Sequence, residues 1–220
     1  MDARACVAAG AGAVHLHPRD EDGVERLDAA TVDSVVEQVR SACRVEVGVS
    51  TGAWIEPDLP RRLELIRAWK RPDYASVNVS EPGAQRVMHA LLEVGIGVEA
   101  GVWTVQDAVA FSGFDLRGQL TRILVEPVEV SAANAVPLVR SIHEALDRFD
   151  QSTPRLQHGD GEATWVLIDD AIRNGYDTRV GLEDTLYGPD GKRVSGNRAL
   201  VEAASNLIAQ LGRHSKESPP

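Results

Sequence analysis

The chain has 220 residues, a net charge of -10, 43% hydrophobic and 25% charged residues, proportions that exclude disorder as the default. The acidic balance and the lack of a basic stripe argue against nucleic-acid binding, which needs clustered Lys and Arg. No apolar run reaches the roughly 18 residues of a membrane span, and "MDARACVAAGAG" lacks a secretion signal's basic start, so a cytoplasmic location with no membrane partner is expected. Cys6 and Cys43 have neither metal-knuckle spacing nor disulfide density and read as reduced, buried residues.

In chain order, the opening segment reads as the end of a helix delivering the chain into a strand at 13–17. Further strands are predicted at 45–51, 74–80, 95–102, 122–128, 155–158 and 178–183. Helices are predicted at 28–42, 58–69, 82–93, 104–113, 131–148, 162–174 and 195–213, several opened by Pro57, Pro82 or Ser131. The alternation suggests one parallel-sheet domain over 1–213, followed by a flexible tail over 214–220. Strand faces choose between an open sheet and a barrel. In "VEVGVS" and "ASVNVS" one face is apolar and the other small or polar. An open sheet covered on both sides needs two apolar faces, whereas a barrel around a polar site needs only the outer one. A (β/α)8 barrel is therefore expected, with its first strand apparently missing from this chain.

His15 and His17 fall on the same strand face, roughly 6.5–7 Å apart in rise, so both imidazoles can meet one metal ion. Two histidines alone are weak evidence. A third ligand candidate is Glu183 in "TRVGLEDT", whose alternative is a pair with Arg179 or a cap on the following turn. Two imidazoles and a carboxylate leave an open coordination position, as catalytic zinc sites require. His143 reads as a helix surface residue, His89 and His214 as helix residues without partners, and His158 as a strand-tip residue able to reach the mouth of the site. Trp54, Trp69, Trp103 and Trp165 read as packing rather than stacking platforms. The glycines of "GAGAG" precede a strand, so they are not a dinucleotide fingerprint.

"AGAGAVHLHPRDEDG", "VGVSTGA", "YASVNVS", "GVEAGVW" and "GYDTRVGLEDTLYGPDGKRVSGNRALVEAA" together resemble the β-keto acid cleavage enzymes, the family of 3-keto-5-aminohexanoate cleavage. The resemblance implies a barrel binding a divalent metal, usually zinc, through His15, His17 and Glu183. It also implies a reaction in which a β-keto acid and acetyl-CoA yield acetoacetate and an acyl-CoA, in a homo-oligomer (tetramer or dimer). Asp184 resembles the proton-abstracting residue, working with Arg179; its alternative is an outer partner that orients a ligating histidine. Thr51, Gly52, Ser76 and Asn78 match positions that hold the substrate's carboxylate and keto groups. Ser50 shares this candidacy because parity leaves open which hydroxyl points inward. Glu99 matches a glutamate near the metal, with a plain ion pair as its alternative. Arg19 stands open between a loop carboxylate and the substrate or CoA phosphate.

Two other readings stay open. Metal-dependent hydrolases also use His-x-His on a barrel strand but need further histidines, for which only His158 is available, and a degenerate barrel binding a small acid without turnover would tolerate the missing strand.

Overall fold

The computed structural model describes residues 2–217, with side chains through 211. Helix α1 (Asp2–Ala8) leads into β1 (Ala13–Leu16), and the chain then alternates: α2 (Ala29–Ala42), β2 (Glu46–Ser50), α3 (Leu59–Arg67), β3 (Tyr74–Asn78), α4 (Ala84–Glu93), β4 (Gly97–Val102), α5 (Val105–Phe111), β5 (Arg122–Val125), α6 (Ala132–Asp147), β6 (Arg155–Gln157), α7 (Thr164–Asn174) and α8 (Asn197–Glu217). Local signals start these helices where the sequence places them. Asp28 and Asp58 accept from the N–H three residues on, and Thr104 with Asp107 forms a full capping box. Helix α8 continues through Glu217, so the first part of the expected tail is helical; residues 218–220 lie outside those described.

Among the described residues, six parallel strands pair in sequential order, β1 to β6, and curl into a half-barrel with the helices outside, a TIM-barrel-like fold with fewer than eight strands in that span. Strand parity is borne out on the outer face. Val47, Val49, Ala75, Val77, Val98, Ala100, Ile123 and Val125 are buried in the core beneath the helices. The inner face carries His15 beside Gly48, Gly48 beside Tyr74 and Tyr74 beside Gly97. Gly48 is small for a steric reason: a Cβ there would lie 2.1 Å from the Tyr74 ring, which spans to the Val14 carbonyl through its hydroxyl.

Two expectations fail here. No residue of the strand predicted at 178–183 is in a strand; the nearest pairing is a single bridge just ahead of it, Asp177 with Leu156. Its only neighbouring strand, β6, is three residues long, and past Asp177 the groups that a ladder would use go elsewhere. Thr178 Oγ1 donates to the Gln157 carbonyl, the Leu182 N–H donates to Asn197, and Asp184 and Thr185 close a turn on the Gly181 carbonyl. His143, read as a surface residue, is only 6% exposed. Its Nε2 lies 2.8 Å from Gln157 Oε1, Arg155 reaches its Nδ1 at 3.2 Å, and its ring stacks on Tyr176. The outward positions of β6, Arg155 and Gln157, are polar, so α6 and α7 meet this strand through a buried polar cluster.

Candidate metal and proton-transfer site

His15 and His17 leave β1 with ring centroids 5.4 Å apart. His15 Nδ1 is buried and has no hydrogen-bond partner among the described residues. Burial, reinforced by the Arg179 charge, holds its pKa well below 6.5, so the ring is neutral and has a lone pair to give. His17 lies between two carboxylates, with Nε2 3.2 Å from Glu183 Oε1 and Nδ1 3.4 Å from Glu25 Oε2. Its pKa is raised, chiefly by Glu183, and Glu183 in turn is brought down to about 2, first by His17. Glu183 sits on the turn that replaces the expected strand and its side chain is 59% exposed. A neutral buried imidazole, a second imidazole and a carboxylate fit a zinc-type donor set.

Behind this pair runs a second, deeper chain of charges. Arg179 Nη2 lies 3.4 Å from Glu126 Oε1, the same oxygen lies 3.2 Å from His158 Nε2, and His158 Nδ1 lies 3.5 Å from Asp184 Oδ1. Burial opposes ionisation of Glu126, but the facing His158 and Arg179 side chains overcome it and hold the pKa at about 2. Asp184, raised by burial, accepts the Gly161 N–H on its main-chain carbonyl, which fixes the turn against the loop after β6. His158 does not reach the mouth, as its sequence position suggested; it is 0% exposed. Glu126, His158 and Asp184 are the one set among the described residues whose ligand atoms all lie within 4.8 Å of one another. Both ring nitrogens of His158 are buried without a hydrogen-bond partner among the described residues, so this set is a second candidate donor group beside His15, His17 and Glu183, with the Arg179 guanidinium against Glu126 as the feature that opposes a cation there. Glu126 escaped the sequence reading, although parity from Arg122 through Leu124 marks it as inward-facing.

The other predicted positions divide into pocket lining and support. Ser50 is buried on the inner face, and its hydroxyl accepts the Gly52 N–H at 3.3 Å. Thr51, of opposite parity, donates to the Ser76 carbonyl at 2.8 Å and so ties β2 to β3 instead of facing inward. Ser76 stands between Ser50 and Glu99 in register. Asn78 lies over Gly101, where a Cβ would come within 2.6 Å, and donates to Glu81, which also takes the Ala53 N–H and buried Arg62. Glu99, 2% exposed, is paired with Arg122, which stacks over Tyr74; its Oε1 has no hydrogen-bond partner among the described residues. Burial next to Glu99 pushes the Tyr74 phenol up to about 12. Arg19 pairs with a loop carboxylate, Glu25, at 2.6 Å. Of the tryptophans, Trp69 packs in the core as expected, but Trp54 is 58% exposed and stacks on His17.

Comparison with known proteins bears on the family and the fold. A 3-keto-5-aminohexanoate cleavage enzyme from Fusobacterium nucleatum subsp. nucleatum is 23% identical over 229 aligned positions, covering 96% of this chain and 82% of the relative. Among solved structures, ObcA in a ternary complex with a C4-CoA adduct and oxalate superposes with a TM-score of 0.77 at 17% identity, over 96% of this chain and 62% of that one. Apo ObcA gives 0.74 at 18% identity, over 97% and 60%. The chain thus spans about three fifths of the length of the ObcA structures, and at these identities they show the fold alone. The family model for beta-keto acid cleavage enzymes matches residues 1–218, and the chain belongs to that family.

Proposed function

We propose that the chain is a metal-dependent acyltransferase that converts a β-keto acid and acetyl-CoA into acetoacetate and the CoA thioester of the remaining acyl group. The acetyl and acyl groups exchange partners, so no oxidant and no water enters the balance. The observation that supports the reading is that Glu183 faces His17 at 3.2 Å with His15 beside it, while Arg179 and Asp184, from the same distant stretch as Glu183, lie in the neighbouring buried cluster with Glu126 and His158. A bound zinc or similar ion, held by His15, His17 and Glu183, would supply Lewis acidity toward the keto oxygen.

The chain's own groups account for the remaining requirements. Asp184 is the base for the α-proton: its burial keeps its basicity up, and His158 Nδ1 lies beside the carboxylate at 3.5 Å. Arg179, surrounded by Glu126, Asp184, Glu99 and Glu183, remains charged and opposes the negative charge that develops as the proton leaves. Ser50, Ser76 and Asn78 offer hydroxyl and amide groups to the substrate's carboxylate from the inner face of β2 and β3, while Thr51 and Gly52 hold that wall in place. Glu99 acts from below as the partner of Arg122. A cytoplasmic homo-oligomer, dimer or tetramer, belongs to the same proposal; exposed Leu182, Leu186 and Tyr187 on one turn segment support self-association.

The hydrolase reading is favoured by one observation, the additional buried histidine next to Asp184. Metal analysis separates the two donor sets. About one zinc per subunit is expected in the parent and in His158→Ala, with most of it lost in His15→Ala/His17→Ala; retention by the double variant and loss in His158→Ala would move the metal to the deeper set and overturn the assignment.

A further inference from the structure

We infer that Glu25 and Trp54 form a latch that orients the His17 imidazole and presents its Nε2 toward Glu183 and the proposed metal, an inference whose metal half rests on the reading above. His17 lies one residue beyond the end of β1, where ladder pairing has stopped. Its ring is nonetheless held from three sides. Glu183 approaches Nε2, Glu25 Oε2 approaches Nδ1 at 3.4 Å, and the Trp54 indole covers one face with a centroid separation of 6.2 Å and an interplanar angle of 21°.

The two latch residues also hold each other. Trp54 Nε1 donates to Glu25 Oε2 at 2.9 Å, the same oxygen that faces His17. Arg19 donates to the other oxygen at 2.6 Å and, through its second amino group, to the Gly23 carbonyl at 2.8 Å. The indole takes this position only because residue 52 is glycine: a Cβ there would fall 2.3 Å from the ring. The loops after β1 and β2 thus converge on one imidazole.

Stability does not explain the arrangement. Trp54 is 58% exposed, and the Arg19 side chain is 54% exposed, so the cluster removes little apolar surface from water and its ion pair is of the weak surface kind. A carboxylate oxygen 3.4 Å from Nδ1 and an indole over one face fix the rotation of the ring, and an imidazole held on one edge in this way presents its other nitrogen in a set direction. Glu25 and Trp54 are therefore positioning residues, acting through His17.

The test uses the full chain as parent, Glu25→Ala, Glu25→Gln and Trp54→Phe, with two readouts. The first is the His17 Nδ1–H resonance in ¹⁵N-labelled, metal-free protein; the second is the zinc dissociation constant from competition with a chromophoric chelator. Glu25→Ala is expected to lose the protected resonance and to bind zinc roughly 10–100-fold more weakly, with the melting temperature of the metal-free protein little changed. Glu25→Gln, whose amide oxygen still accepts, is expected to keep the resonance and most of the affinity, and Trp54→Phe to fall between. Parental resonance and affinity in Glu25→Ala would overturn the latch. A parent that binds no zinc would overturn the metal reading instead, and the resonance alone would then decide the latch.

Discussion

His158 Nε2 lies 3.2 Å from Glu126 Oε1 with the imidazole wholly out of solvent, and the opposite ring nitrogen faces Asp184. A carboxylate on one edge of the ring and the proposed base on the other make Glu126 a support for Asp184 at one remove. Glu126→Gln retains size and hydrogen-bonding capacity but removes the charge that His158 and Arg179 face. The expected result is a fall in kcat on the order of 10–100-fold, with KM for the β-keto acid changed far less, because the group acts on the base and not on the bound substrate. Steady-state kinetics against both substrates checks it; a change confined to KM would place Glu126 in substrate binding instead.

The floor of the half-barrel depends on one missing side chain. Gly48→Ala sets a methyl 2.1 Å from the Tyr74 ring, which is itself held between Arg122 and the Val14 carbonyl. Overpacking at such a site costs about 1–3 kcal/mol. Urea denaturation should show that loss in Gly48→Ala and should show less additional loss when Tyr74→Ala is combined with it than the two single losses predict, since the pair is in contact.

Acid sensitivity has a source away from the metal site. His143 is surrounded by Arg155 and Gln157 from β6, Asp147 from its own helix, Asp170 from α7 and Tyr176. Burial, with Arg155 adding to it, lowers its pKa from 6.5 despite the Gln157 contact. The folded chain therefore holds a neutral ring where the unfolded chain takes up a proton. Stability from this group is present above about pH 6.5 and is lost as the pH falls from there toward the lower folded pKa. Unfolding free energies measured between pH 7.5 and 5 should decline with a slope that His143→Gln reduces; an unchanged slope would assign the acid sensitivity to other groups.

The outer face of the sheet was legible because buried strand faces demand apolar residues at every second position, and Val47, Val49, Val98 and Ile123 obey that rule. The pairing of His15 with His17 follows from the same alternation. The final predicted strand was not legible, because its formation depends on neighbours: "TRVGLED" has strand-like residues, yet β6 offers three residues of edge and Asn197 captures the Leu182 N–H. From the turn that takes its place, Glu183 goes to His17 and Asp184 to the buried His158, two neighbouring clusters served by consecutive residues. Thr51 shows the opposite outcome, with a motif position spent on joining two strands. Glu25 and Trp54 carry no pattern of their own; only the convergence of two loops reveals them.

The most direct test of the proposed activity is a product analysis. Purified zinc-loaded chain is incubated with acetyl-CoA, labelled in the acetyl group, and a panel of β-keto acids, and acetoacetate and acyl-CoA are quantified together by mass spectrometry. The account predicts label in acetoacetate and equimolar acyl-CoA with at least one acid in the panel, both lost in Asp184→Asn. Free acid released without acyl-CoA, or equal product from Asp184→Asn, would contradict it.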